Sequence, residues 1–99
     1  MIIIAEALWP PDKSTELGKA MLDLPPLPEN ITMRGPYVGQ ELRDGIRSIT
    51  IYEFDDANYI DASKTIMQRY VAYMKIPGFT FNAKRWREAM DALELIGLG

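Results

Sequence analysis

The chain contains neither cysteine nor histidine among its 99 residues. Without cysteine it can form no disulfide, iron–sulfur cluster or zinc-thiolate site, and a disulfide-free small domain suits a reducing compartment. Without histidine it has no imidazole-ligated haem or metal, no Ser-His-Asp or Cys-His catalysis and no histidine pH switch. Any catalytic role falls to Asp, Glu, Tyr, Lys, Arg or a hydroxyl. Positive charge is also scarce: 11 Lys and Arg stand against 14 Asp and Glu, a net charge of −3. Nucleic-acid binders draw most of their affinity from neutralising phosphates. The only basic cluster, Lys84, Arg85 and Arg87, reads as a solvated strand end or helix start. Long apolar runs are absent too. Met1 to Leu8 is apolar, but it is too short for a membrane span and has no basic region before it. No nucleic-acid partner, membrane, metal or cofactor is expected, and the expected location is the cytoplasm.

What is present fits one domain over residues 1–99. The hydrophobic fraction is 47 %, enough to offset the entropy of ordering the chain. A folded monomer of this size should expose about 5,700 Å².

Residues 2–9 are β-branched and nearly continuously apolar, which predicts a central strand buried on both faces. Pro10 and Pro11 stop it. Asp12 is a candidate N-cap for a helix whose stripe is Leu17, Ala20, Met21 and Leu24, weakened by Gly18. Pro25, Pro26 and Pro28 end that helix. Ile31 to Val38 reads as a strand, and Pro36 makes it an edge. Asp44-Gly45 predicts a two-residue hairpin turn into a third strand, Ser48 to Phe54. Asp55, Asp56 and Asn58 offer caps for a second helix. It should run to about Met74 and bury Tyr59, Ala62, Ile66, Tyr70 and Tyr73 or Met74. Ile76-Pro77-Gly78 breaks it. A short strand over residues 79–83 follows. A last helix, Arg87 to Ile96, should bury Ala89, Met90, Leu93 and Ile96, with Gly97 as its C-terminal cap. No tandem repeat is visible.

The order is β-α-β-β-α-β-α. It predicts an α+β fold: a ferredoxin-like βαββαβ unit with an antiparallel four-stranded sheet and an extra C-terminal helix. The first and third strands should be central, and they are expected to run parallel to each other. Two helices cover one sheet face, so Ile3, Trp9, Tyr37, Tyr52 and Phe54 are candidates for a face that a second copy of the chain covers. The alternative is that the C-terminal helix folds over that face.

The whole chain resembles the dimeric α/β-barrel superfamily, in which two ferredoxin-like units pack sheet to sheet. Trp9-Pro10-Pro11, Gly35-Pro36-Tyr37-Val38, Tyr52-Glu53-Phe54-Asp55-Asp56 and Ile76-Pro77-Gly78-Phe79 are similar to phrases of short bacterial members with no assigned activity. The resemblance implies a homodimer. Superfamily members include cofactor-free monooxygenases, haem-degrading enzymes and small-molecule sensors. The haem-type members generally use a histidine, which this chain lacks.

One constellation stands out. Ile2-x-Ile4-x-Glu6 and Ile49-x-Ile51-x-Glu53 repeat one pattern on the two central strands. In parallel, matched register, Glu6 and Glu53 would lie side by side. A two-residue turn would set Glu53 opposite Pro36, with Arg34 diagonal, and Tyr52 opposite Tyr37. Glu6, Arg34, Glu53, Tyr70 and Tyr73 are therefore the ligand-pocket candidates: a carboxylate as base or anchor, a cation to permit two close carboxylates, and tyrosines above. The alternative is a structural ion pair. The expected function is a small homodimer that binds a small hydrophobic or aromatic molecule between sheet and helices, with cofactor-free catalysis one outcome. A non-catalytic interaction or assembly module is the competing reading.

Overall fold

The computed structural model describes residues 1–98 apart from Leu42 and Asp44. It is a small α+β domain: four strands in one antiparallel sheet and three α-helices, compatible with a ferredoxin-like fold. The elements are β1 (Ile2–Trp9), α1 (Ser14–Leu22), β2 (Thr32–Glu41), β3 (Gly45–Glu53), α2 (Tyr59–Tyr73), β4 (Thr80–Trp86) and α3 (Ala89–Leu95). Short 3₁₀ turns precede α1 and α2. Among the described residues no helix is long and apolar enough to cross a membrane.

The sheet order is β2-β3-β1-β4. β1 and β3 are central, and β2, which carries Pro36, is an edge. The parallel pairing expected of β1 and β3 is corrected: they are antiparallel, with Ile2 opposite Glu53 and Glu6 opposite Ile49. Chain direction explains this. The α1 crossover brings β2 back parallel to β1, and the following hairpin reverses the chain. β3, lying between them, must therefore oppose both.

The β2–β3 register also differs from that of a two-residue turn. Glu41 pairs with Gly45, and the ladder shifts again between Arg34 and Tyr37. Glu53 thus faces Thr32 and Tyr52 faces Met33, while Tyr37 faces Ile49. Asp44, half of the expected turn dipeptide, lies outside the described residues. Gly45 adopts φ 107° where β3 begins, and a Cβ there would collide with the Trp9 carbonyl oxygen.

Alternation decides which side chains enter the core. Ile3, Ala5, Ala7 and Trp9 of β1, with Ser48, Thr50 and Tyr52 of β3, point under α1 and α2 and are buried. Phe54, just past β3, is buried with them. The helices supply Leu17, Ala62, Ile66, Tyr70 and Tyr73. An aromatic stack continues the core: Tyr70 lies on Phe81 at 5.1 Å and Tyr73 against Phe79 at 5.4 Å. Such pairs add to area burial.

The capping expectations are corrected. Neither α1 nor α2 has a side-chain N-cap. Asp12 sits inside the 3₁₀ turn before α1, and the Asp56 carboxylate meets the Met1 ammonium at 2.9 Å. Gly97 does cap α3, at φ 79°, with the Leu98 N–H donating to the Leu93 carbonyl at 2.9 Å.

The largest departure is α3. It buries no residue, and Met90, Leu95 and Ile96 are exposed. It therefore does not fold over the open sheet face. The chain is correspondingly extended, with a radius of gyration of 15.2 Å against about 13 Å for a compact chain of this length. Its accessible surface, 6965 Å², exceeds the roughly 5,700 Å² of a typical monomer.

Candidate functional site

The sheet–helix interface does not close completely. A cavity of about 200 Å³ remains between β1, β2 and β3 on one side and α1 and α2 on the other. Its floor is made of small residues, Ala7, Ser48 and Thr50. Trp9, Leu17, Met21, Met33 and Phe79 form apolar walls, and Pro36 and Val38 of the edge strand complete one side. Gly18 of α1 also lines it, and a Cβ there would meet nothing within 4 Å.

The polar groups of the cavity are few and defined. The hydroxyls of Tyr52 and Tyr70 share a hydrogen bond of 2.9 Å, and their rings meet edge to face. The Trp9 indole N–H donates to the Ser14 hydroxyl at 3.1 Å, which ties the end of β1 to the start of α1. Arg69 of α2 is the one charged lining residue among the described residues, and its Nη1 donates to the Pro25 carbonyl at 2.9 Å.

Burial raises the pKa of the Tyr52 phenol well above its usual value, helped by the neighbouring Tyr70 hydroxyl. Burial also raises that of Tyr73. Both phenols are therefore neutral hydrogen-bond donors at neutral pH, and neither acts as a base. The linkage has a definite sign. A raised folded-state pKa contributes stability that is complete below the unfolded value of 10.0 and is lost as pH rises above it. Spectrophotometric titration should show Tyr52 and Tyr73 ionising only as the fold is lost above pH 10, and Tyr52→Phe should flatten that alkaline loss. Titration of all five tyrosines near pH 10 with the fold intact would contradict this.

The predicted site residues divide between two faces. Tyr70 and Tyr73 line the cavity. Glu6, Arg34 and Glu53 lie on the opposite sheet face, away from it. Arg34 does bond Glu53, at 3.0 Å, as a diagonal pair. Glu6 bonds Arg47 at 3.2 Å, and the antiparallel register sets the two glutamates toward opposite ends of the sheet. Both ion pairs are solvent-accessible, and pairs of this kind contribute little stability. The close carboxylate pair is thereby corrected: reversing one strand separates residues that matched register would have joined.

The proposed pairing residues divide as well. Ile3, Trp9, Tyr52 and Phe54 are buried beneath the helices, and Tyr37 alone of that set lies on the open face. The open face instead carries Ile2, Ile4, Leu8, Ile49, Ile51 and Trp86. Sequence reasoning did not anticipate Ser48, Thr50, Gly18 or Arg69 as lining residues. The available signal was a run of small residues at alternate strand positions facing a mid-helix glycine, which together leave volume unfilled.

No family model matches the chain, and no curated protein matches it either.

Proposed function

We propose that this chain is a small-molecule-binding protein that takes a compact hydrophobic or aromatic ligand in the sheet–helix cavity and works as a homodimer. The cavity of about 200 Å³ carries this reading, since an engineered apolar cavity of about 150 Å³ already admits benzene. Binding is favoured over turnover because, among the described residues, no carboxylate lines the cavity and the buried phenols stay protonated. The open sheet face supports pairing. Its isoleucines 2, 4, 49 and 51 form an apolar strip flanked by the Arg34–Glu53 and Glu6–Arg47 pairs, with Lys84 and Trp86 on the β4 edge, a pattern that a second copy can complement about a two-fold axis. This arrangement agrees with the sheet-to-sheet packing of the dimeric α/β-barrel superfamily. The exposed apolar side chains of α3 favour a second reading, in which the chain is an interaction module.

The test is a thermal-shift series with single-ring compounds on wild type and Gly18→Leu. The substitution removes a mid-helix glycine, worth about 1 kcal/mol, and places its side chain in the open space. Wild type should gain melting temperature with ligand. Gly18→Leu should melt higher without ligand and gain nothing from it. Equal ligand shifts in both proteins, or none in either, would defeat the proposal.

A further inference from the structure

We infer that the cavity selects a single-ring or similarly compact monoanion, an apolar acid whose charged oxygen is held by Arg69 and the tyrosine hydroxyls. This rests on the binding role proposed above and specifies its ligand class.

The first observation is the sign of the lining. Arg69 is its one charged side chain among the described residues. Arg69 is half-buried as a residue, its guanidinium contact with the Pro25 carbonyl is solvent-accessible, and no carboxylate among the described residues pairs with it. Guanidinium has five N–H donors, and the Pro25 carbonyl engages one nitrogen. A guanidinium at the cavity with no carboxylate partner among the described residues can take an anionic ligand as its counter-ion.

The second observation is independent of charge. Tyr52 and Tyr70 bring two hydroxyl protons and share one hydrogen bond. One proton therefore remains to be donated outward, whichever oxygen accepts. Ser48 and Thr50 add hydroxyls on the floor. The cavity thus sets one positive charge and a few hydroxyls, which can donate or accept, against an otherwise apolar lining of Trp9, Leu17, Met21 and Phe79. That combination matches a carboxylate or enolate attached to a ring, and it disfavours an amine or a purely apolar molecule. A bidentate guanidinium–carboxylate contact would fix the ligand's orientation.

The experiment is calorimetric titration at constant ionic strength with benzoate, its neutral counterparts benzamide and benzyl alcohol, and benzylamine as the cation. Wild type should bind benzoate about 10- to 100-fold more tightly than the neutral pair, the range expected for a charge-assisted contact, and benzylamine weakest. Arg69→Met should reduce benzoate to the level of benzamide while leaving benzyl alcohol unchanged, and Arg69→Lys should recover part of the difference. Benzyl alcohol and benzamide binding as tightly as benzoate would overturn the anion assignment and leave the cavity's binding role intact. Failure of all four probes to bind would overturn both. If Arg69→Met does not fold, the wild-type ranking of the four probes decides the matter alone.

Discussion

Ile66→Ala should lower the unfolding free energy by about 2–5 kcal/mol, the range for truncating a buried aliphatic side chain and leaving a cavity. Ile66 is the side chain of α2 with 0 % exposure. It sits on the inner stripe with Ala62 and Tyr70, where α2 meets the sheet. The surrounding aromatic stack is held by the Tyr52–Tyr70 hydrogen bond and by ring contacts on Phe79 and Phe81, so little can move in to fill the space. A domain of this size has a total stability of roughly 5–15 kcal/mol, and the melting temperature should fall by roughly 10–30 °C. Ile60 is the internal control. It lies on the same helix at 78 % exposure, and Ile60→Ala should change stability by no more than about 0.5 kcal/mol. Urea denaturation of both variants measures the contrast. Equal effects would mean that α2 packs on a different face.

Ile49→Glu should convert the proposed dimer to a monomer. Ile49 is 38 % exposed at the centre of the open face, opposite Glu6 on β1 and Tyr37 on β2. In an isolated chain its side chain meets water, so a glutamate there costs the monomer only the cross-strand repulsion from Glu6, about 0.2–1 kcal/mol. At a two-fold interface the same position buries an unpaired carboxylate on each protomer, at about 3 kcal/mol or more. That weakens association by at least about a hundredfold. Light scattering at micromolar concentration should give wild type twice the chain mass and Ile49→Glu the chain mass. Val71→Glu, at an exposed position on α2, should remain dimeric. A wild type that scatters as a monomer at 100 μM would refute the pairing.

How far the sequence carried the fold can be seen on β1. Its limits, Ile2 to Trp9, followed from a β-branched run stopped by two prolines, and the inner stripe of α2 followed from helical spacing. Which face of β1 lies under the helices was not legible, because both faces are apolar. The buried face is small at its centre, where Ala5 and Ala7 let the helices approach between Ile3 and Trp9, while Ile2 and Ile4 occupy the open side. β3 misled for the complementary reason. Its polar Ser48 and Thr50 are buried and its isoleucines 49 and 51 face outward, the reverse of the usual rule.

The paired Ile-x-Ile-x-Glu pattern makes a site only if β1 and β3 run parallel, and the crossover followed by a hairpin makes them antiparallel. The Arg34–Glu53 contact survived the register change because diagonal neighbours on one face tolerate a small shift when one partner is a long side chain. The cavity itself was anticipated only in its location and in Tyr70 and Tyr73. Its volume comes from residues that are notable for what they lack, and a missing side chain is a faint signal in a sequence. The exposed α3 was the other miss. Its apolar periodicity is real, but helical amphipathicity says that a face wants cover without saying which surface supplies it.

The chain has two tryptophans, and they report on the two surfaces separately. Trp9 lines the cavity and Trp86 lies on the open sheet face. The most direct test of cavity binding is therefore titration of ¹⁵N-labelled protein with benzoate, following the two indole N–H resonances. The Trp9 indole, which donates to Ser14 at the cavity wall, should shift progressively and saturate while that of Trp86 stays in place. A shift confined to Trp86, or no shift at either indole up to millimolar benzoate, would contradict the account.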